Sequence, residues 1–262
     1  MAIILGILFG AAALVRPVLI LFPFVLIVII WQVKREHLTL KWSGALILGL
    51  ALVWSPWQLW KNQNINLNEP SLAPASFALG IYPDLIYKNP ELQGFPYNDD
   101  SEYANFSTSF AKTMPVLIER ASIQPLTYLK WYLWGKPKMY WQANNNIAAF
   151  GGPFIYPVEK SMYHKIPATA YSLLAMMTIH PFLIILGVGT TVFLFLQFLR
   201  RNQQYVEGYI CASLVVYFTA IHTVLTPLPR YSYPVIPFAY LLACFMLYQI
   251  WHHARCLLKK DK

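Results

Sequence analysis

Four stretches of this chain, Trp42 to Trp60, Met176 to Leu199, Gly208 to Leu225 and Pro234 to Trp251, run without a single Asp, Glu, Lys or Arg. A helix rises 1.5 Å per residue, so about 20 mostly apolar residues cross a hydrocarbon core of about 30 Å while bonding every backbone group internally. Each stretch meets or approaches that length and is closed by charged, aromatic or proline-bearing flanks. Two shorter apolar runs, Met1 to Val15 and Pro17 to Trp31, meet at Arg16-Pro17, where proline ends or kinks a helix. Composition agrees: 57% of the residues are hydrophobic and only 12% charged, against about a quarter charged in a soluble domain. The expected fold is therefore an all-α polytopic membrane protein. It has about five to six transmembrane helices and a large external (periplasmic) loop region carrying short interfacial helices.

The net charge of +9, in a chain this apolar, points to cytoplasmic membrane loops before nucleic acid. Cations in short loops stay in the cytoplasm. Lys34, Arg35 and Lys41 share one such loop, Arg200 and Arg201 another, and Arg255, Lys259, Lys260 and Lys262 lie in the tail. The passes between them put Asn62 to about Tyr171, and the short turn Thr226 to Tyr233, on the opposite face. The chain thus divides into N-terminal transmembrane helices (1–60), an external loop region (61–175) and C-terminal transmembrane helices with a cytoplasmic tail (176–262). Cys211, Cys244 and Cys256 make neither a metal spacing nor an even disulfide framework.

The external segment is too long for a mere connection, and its aromatics favour a folded, membrane-apposed layer over disorder. Pro125 to Trp134 reads PLTYLKWYLW, with proline at a plausible first helical position. It is expected to be an interfacial helix: Tyr and Trp prefer the headgroup layer, where Lys130, Lys136 and Lys138 reach lipid phosphates. A structural lid on the rim of the bundle is the competing reading. Gly-rich phosphate loops and soluble nucleotide-binding motifs do not occur.

Arg230 sits in the constrained turn Pro227-Leu-Pro-Arg-Tyr-Ser-Tyr-Pro234 between two apolar spans. Its planar guanidinium fork suits a phosphate at the membrane edge; snorkelling to headgroups or bonding to backbone carbonyls would explain it as well. Arg16, beside its helix-breaking proline, poses the same choice. Asp84, Asp99, Asp100 and Glu102 offer carboxylates for general base or cation-binding work, although NDDSE at 98–102 lacks the alternation of an EF-hand loop and reads first as a solvated acidic turn. No metal site is expected. His180 and His222 fall near the external ends of their spans, as helix-end residues before ligands, and His252 and His253 fall on the cytoplasmic side.

Four stretches, GILFGAAALVRP (Gly6 to Pro17), WSPWQLWKN (Trp54 to Asn62), WYLWGKPKMYWQANNNIAAFGGPFIY (Trp131 to Tyr156) and PRYSYPVIP (Pro229 to Pro237), together resemble the C-terminal half of polytopic glycosyltransferases that use lipid-linked sugars. These are the protein O-mannosyltransferases and the bacterial aminoarabinose transferases of lipid A. The resemblance implies an inner-membrane enzyme, with a polyprenyl-phosphate-linked sugar as donor substrate and an acceptor on the periplasmic face. It also implies Arg230, Arg16 and Lys136 at the donor phosphate, with Tyr231 and Tyr233 positioning the lipid headgroup or simply packing. Membrane lipids, the polyprenyl-phosphate sugar and a separately encoded N-terminal half are the implied partners. The family's first external loop, with its catalytic acid, precedes the matching region, so a truncated reading frame or split gene, inactive alone, is expected. A non-catalytic scaffold or lipid-linked-sugar-binding subunit is the main alternative. A transporter of such a lipid ranks below it, because the spans carry almost no charge.

Overall fold

The computed structural model describes residues 1–34, 37–64, 72–84, 100–142 and 167–260. Arg35, Asp99, Lys165, Lys262 and the 143–156 part of the third matching stretch lie outside the described residues, as do the side chains of Lys34 and Cys256. Among the described residues every regular element is helical: α1 (Ala2–Val15), α2 (Phe22–Lys34), α3 (His37–Asn64), α4 (Leu72–Gly80), α5 (Tyr103–Phe106), α6 (Phe110–Ile123), α7 (Pro125–Lys130), α8 (Lys136–Trp141), α9 (Pro167–Leu199), α10 (Val206–Val224) and α11 (Ile236–Lys260). The break expected at Arg16-Pro17 is present. Arg16 is extended (φ −135°, ψ 99°), and a short 3₁₀ turn, Pro17–Leu21, leads into α2. Helix α9 starts well before Met176 and carries Pro181 inside it.

The chain forms two compact units. The first comprises Met1–Leu67, Leu183–Tyr217 and Pro237–Lys262. Its helices approach one another closely through small residues. A Cβ on Gly6 would collide with the Leu46 carbonyl oxygen, and one on Gly49 with the Ile3 carbonyl oxygen, so α1 and α3 touch backbone to backbone. Gly10 lies one turn on, against Val53. Such small-residue crossings let backbones approach closely and gain dispersion contacts. Farther along, a Cβ on Gly187 would lie 2.8 Å from the Ala239 carbonyl oxygen, and the buried Thr190 hydroxyl donates to the Leu242 carbonyl at 2.7 Å, joining α9 to α11. Phe22 packs against Phe9 and Tyr217, and Tyr217 donates its hydroxyl to the Val18 carbonyl.

Met177–Leu199 and Gln203–Val224 are long and apolar enough to cross a membrane, and within an apolar 18-residue window of each only 17% and 28% is buried. Ala2–Val15 and Pro17–Val33 are apolar but shorter. A core helix of a water-soluble protein buries such a surface. Here Ile179, Phe182, Ile185, Val188, Val192 and Phe195 of α9 are all more than half exposed.

The second unit, Asn68–Phe182 with Phe218–Ile236, has a true aromatic core. Ala78, Ile81, Tyr82, Phe106, Trp131, Met139 and Leu228 bury one another, with Tyr103, Tyr132 and Tyr231 packed against them.

Candidate functional site

The second unit gathers most of the residues singled out from the sequence. Pro125 opens α7 as expected. The helix then runs on to Trp141 through a π-helical turn at Trp131–Gly135, a geometry that concentrates at functional positions. The π turn is clamped from both ends. Trp131 Nε1 donates to the Gly80 carbonyl at 3.0 Å, and Lys136 Nζ donates to the Val224 and Leu225 carbonyls at 3.2 and 3.0 Å. Gly80 must be glycine, because a Cβ there would collide with the Leu225 carbonyl oxygen.

Lys136 is wholly buried, whereas the interfacial reading placed it among headgroup phosphates. Its amine supplies the last carbonyls of α10, which no further helical turn satisfies, and sits 3.8 Å from the centre of the Tyr132 ring. Burial pulls its pKa down to about 6; a neutral amine keeps two hydrogens, one for each carbonyl.

The turn holding Arg230 is a 3₁₀ turn, Pro229–Tyr231, anchored from below. Tyr140 donates to the Tyr231 carbonyl at 3.2 Å, and the Tyr231 ring stacks on His222 at 4.8 Å, which stacks in turn on Tyr140. Arg230 itself is exposed, with its guanidinium 5.3 Å from the Tyr231 ring centre. Tyr233 is half-buried, and burial pushes its phenol up to about 12. Arg16 is exposed in the first unit, so the three cations expected at one phosphate divide between the two units, and within the second only Arg230 is outward.

On the solvent side of the π turn lies a groove of about 510 Å³. Thr127, Lys130, Trp134 and Lys138 line it at three- and four-residue spacings along the helix. Trp131, Gly135 and Met139 add to this wall, with Pro83, Asp84 and Gln142 completing the lining. Asp84 has a left-handed backbone (φ 53°). That conformation costs most residues about 1–2 kcal/mol, Asp less than most, and is over-represented at ligand sites. An exposed indole, two ammonium groups, a carboxylate, an amide and a hydroxyl make a lining that combines an aromatic stacking face with donors and acceptors for a polar ligand. Asp84, Lys130 and Lys138 were legible as candidates. Thr127 and Gln142 were not, though Thr127 shares the helical stripe of the lysines.

Asp100 belongs elsewhere. Its carboxylate accepts Tyr82 Oη at 2.6 Å and Arg120 Nη2 at 2.5 Å, and Arg120 also covers the Tyr82 and Phe106 rings. Burial alone would raise the Asp100 carboxyl; the bonds from Tyr82, Arg120 and the Glu102 amide outweigh it and hold it below the usual carboxylate range. Burial, then the bond to Asp100, raise the Tyr82 phenol. The acidic turn is thus a half-buried structural clasp at Asp100. Among the described residues no cluster of three or more His, Cys, Asp or Glu side chains could hold a metal ion.

Set against models of protein families, curated proteins and solved structures, the chain matches none.

Proposed function

We propose that this protein is a multi-pass inner-membrane glycosyltransferase that moves a sugar from a polyprenyl-phosphate donor to an acceptor on the periplasmic face. In this reading the apolar helices α1 to α3 and α9 to α11 make about five to six passes. The cation-rich ends at Lys41, Arg200–Arg201 and the C-terminal tail are cytoplasmic, and the second unit is external. The observation that carries the reading is the groove beside the π turn, where two lysines, an exposed tryptophan and a carboxylate converge on one face of a helix. The four sequence stretches resembling lipid-linked-sugar transferases support it.

The chemistry asked of the site is a displacement at the anomeric carbon. The acceptor's oxygen or nitrogen forms a bond to that carbon, and the C–O bond to the lipid phosphate breaks. The phosphate leaves with the electron pair, and the acceptor's proton passes to a carboxylate. Cations near the phosphate oppose the charge that develops on it. In this reading Lys130 and Lys138 of the groove supply such cations and Asp84, in the same lining, supplies the carboxylate, while Arg230 on its own turn is a further contact for the donor phosphate.

Membranes containing the chain, alone and together with any protein encoded upstream, are the material for the test. They are incubated with radiolabelled polyprenyl-phosphate sugars, and transfer to endogenous acceptors is followed. Transfer is expected in at least one case, and its absence in both overturns the reading. Arg230→Ala is expected to weaken donor binding at least tenfold and Arg255→Ala to leave it unchanged. Arg230→Lys should rescue only part of the loss, because the ammonium keeps the charge without the fork. Equal effects of the two alanine variants would remove Arg230 from the donor site.

A further inference from the structure

The helix from Pro125 to Trp141 has three distinct sides. Tyr128, Trp131, Met139 and Tyr140 are buried. Lys130, Trp134 and Lys138 form the polar stripe of the groove. The remaining side is a row of leucines, Leu126, Leu129 and Leu133, which are 79%, 56% and 70% exposed and spaced i, i+3, i+7, so that they share one face. No acidic residue occurs between Pro125 and Trp141.

The level of this helix is fixed by its own bonds. The Trp141 carbonyl accepts His180 Nε2 at 2.5 Å, and His180 lies one turn inside the apolar stretch Met177–Leu199. Trp141 Nε1 donates to Thr219 at 3.1 Å, and Lys136 holds the carbonyls of Val224 and Leu225, where the apolar stretch Gln203–Val224 ends. The helix is therefore tied to the ends of two candidate spans, at the height where a bilayer passes from acyl chain to headgroup. A leucine row there meets acyl chains, and the adjoining lysines and tryptophan meet phosphates.

We propose that residues 125–141 form a monolayer-docking element that lies in the headgroup layer of an anionic leaflet. Leu126, Leu129 and Leu133 are immersed among the upper acyl chains, and Lys130 and Lys138 contact anionic headgroups. The occupant of the leucine face is lipid, because the element is bonded to α9 and α10 at the ends of their apolar stretches and because the exposed charges of residues 125–141 are cationic. As a consequence the groove opens at headgroup level, where a lipid-borne ligand enters sideways from the membrane. The proposal needs the apolar helices to be inserted but does not need the chain to be an enzyme.

The test uses the whole chain with Cys211, Cys244 and Cys256 replaced by alanine, in vesicles of phosphatidylcholine and phosphatidylglycerol. Single nitroxide labels go at Leu129→Cys, Leu133→Cys, Thr127→Cys, Lys138→Cys and, as a marker of the span itself, Ile185→Cys. Collision with oxygen is expected to exceed collision with a water-soluble nickel chelate by several-fold at 129, 133 and 185, with the reverse at 127 and 138. Labels at 129 and 133 should become shallower when phosphatidylglycerol is omitted. Nickel access at 129 and 133 with 185 still immersed overturns the docking while leaving the spans intact. Shielding from both reagents at 129 and 133 assigns the face to a second copy or another protein and overturns it too, as does equal depth with and without phosphatidylglycerol. Nickel access at 185 overturns the membrane reading altogether. None of these outcomes depends on sugar transfer.

Discussion

Both units use close backbone approach and long-range bonds from side chains, in different proportions. In the first, the closest approach is between backbones: Gly6 and Gly49 let α1 and α3 touch, with no side chain between them. In the second, buried polar groups span long sequence separations. Lys136 reaches the end of α10, Trp131 reaches Gly80, and the Thr226 hydroxyl reaches the Ser76 carbonyl. In the proposed membrane reading the difference follows from where water is. An apolar bundle in lipid gains nothing from hiding leucine, so it gains contact by shaving side chains away. A layer outside the hydrocarbon buries aromatics against water, and each polar group trapped with them needs a partner.

Breaking the first kind of contact carries the largest expected effect. Gly6→Ala forces two backbones apart and should destabilise the chain in detergent by about 3 kcal/mol, read as a loss of thermal stability. Gly44→Ala is the counter-test. A Cβ there meets nothing within 4 Å, so it should be neutral or stabilise by about 0.5–1 kcal/mol through helix propensity. If the two alanines cost the same, the glycine crossing does not hold the unit.

The second kind breaks at Lys136. Lys136→Met keeps the aliphatic volume but orphans the Val224 and Leu225 carbonyls, at a cost of about 2 kcal/mol. It also changes the response to pH. The folded lysine releases its proton near 6, the unfolded one near its ordinary value of about 10.4. Between those values the unfolded chain binds a proton that the folded chain does not, so stability rises with pH across that window. Lys136→Met should flatten that rise, measured as melting temperature from pH 6 to 9; an unchanged slope would place the titration elsewhere.

The smallest expected effect is at the clasp. The Arg120–Asp100 pair is only partly shielded from solvent, 28% and 17% exposed, so Arg120→Ala should cost less than about 1 kcal/mol. Because the folded Asp100 carboxyl titrates below the unfolded one, its contribution is complete above about pH 4 and fades as pH falls through the folded value. Asp100→Asn should therefore blunt acid destabilisation of the second unit, as followed by Trp fluorescence. A Trp134→Ala variant sharpens the contrast from the other side. Trp134 is 66% exposed, so thermal stability should be unchanged while the proposed saccharide binding, read as donor affinity, falls several-fold.

The helical elements were legible because their signals are local. Uncharged apolar runs predict α3, α9, α10 and α11, and Arg16-Pro17 predicts the break before α2. Pro125 marks the start of α7 and Arg230 stands out in its turn. The inward turn of Lys136 was not legible. A lysine in a basic, aromatic stretch looks like a headgroup anchor until the carbonyls of a helix end, far along the chain, are brought beneath it. Asp100 shows the same limit: in sequence it is one of several acids in a polar turn, and only the approach of Tyr82 and Arg120 makes it a clasp. The Gly6–Gly49 crossing needed both helices in place, since neither glycine alone specifies its partner.

By itself the amino-acid sequence determined the helical class, the positions of the apolar runs and the chain breaks, because backbone bonding and proline sterics act over a few residues. Only the tertiary structure decided which cations face inward, which carboxylate is committed to an ion pair, and which side chains share a groove. Those outcomes depend on desolvation and on atoms brought together from distant parts of the chain.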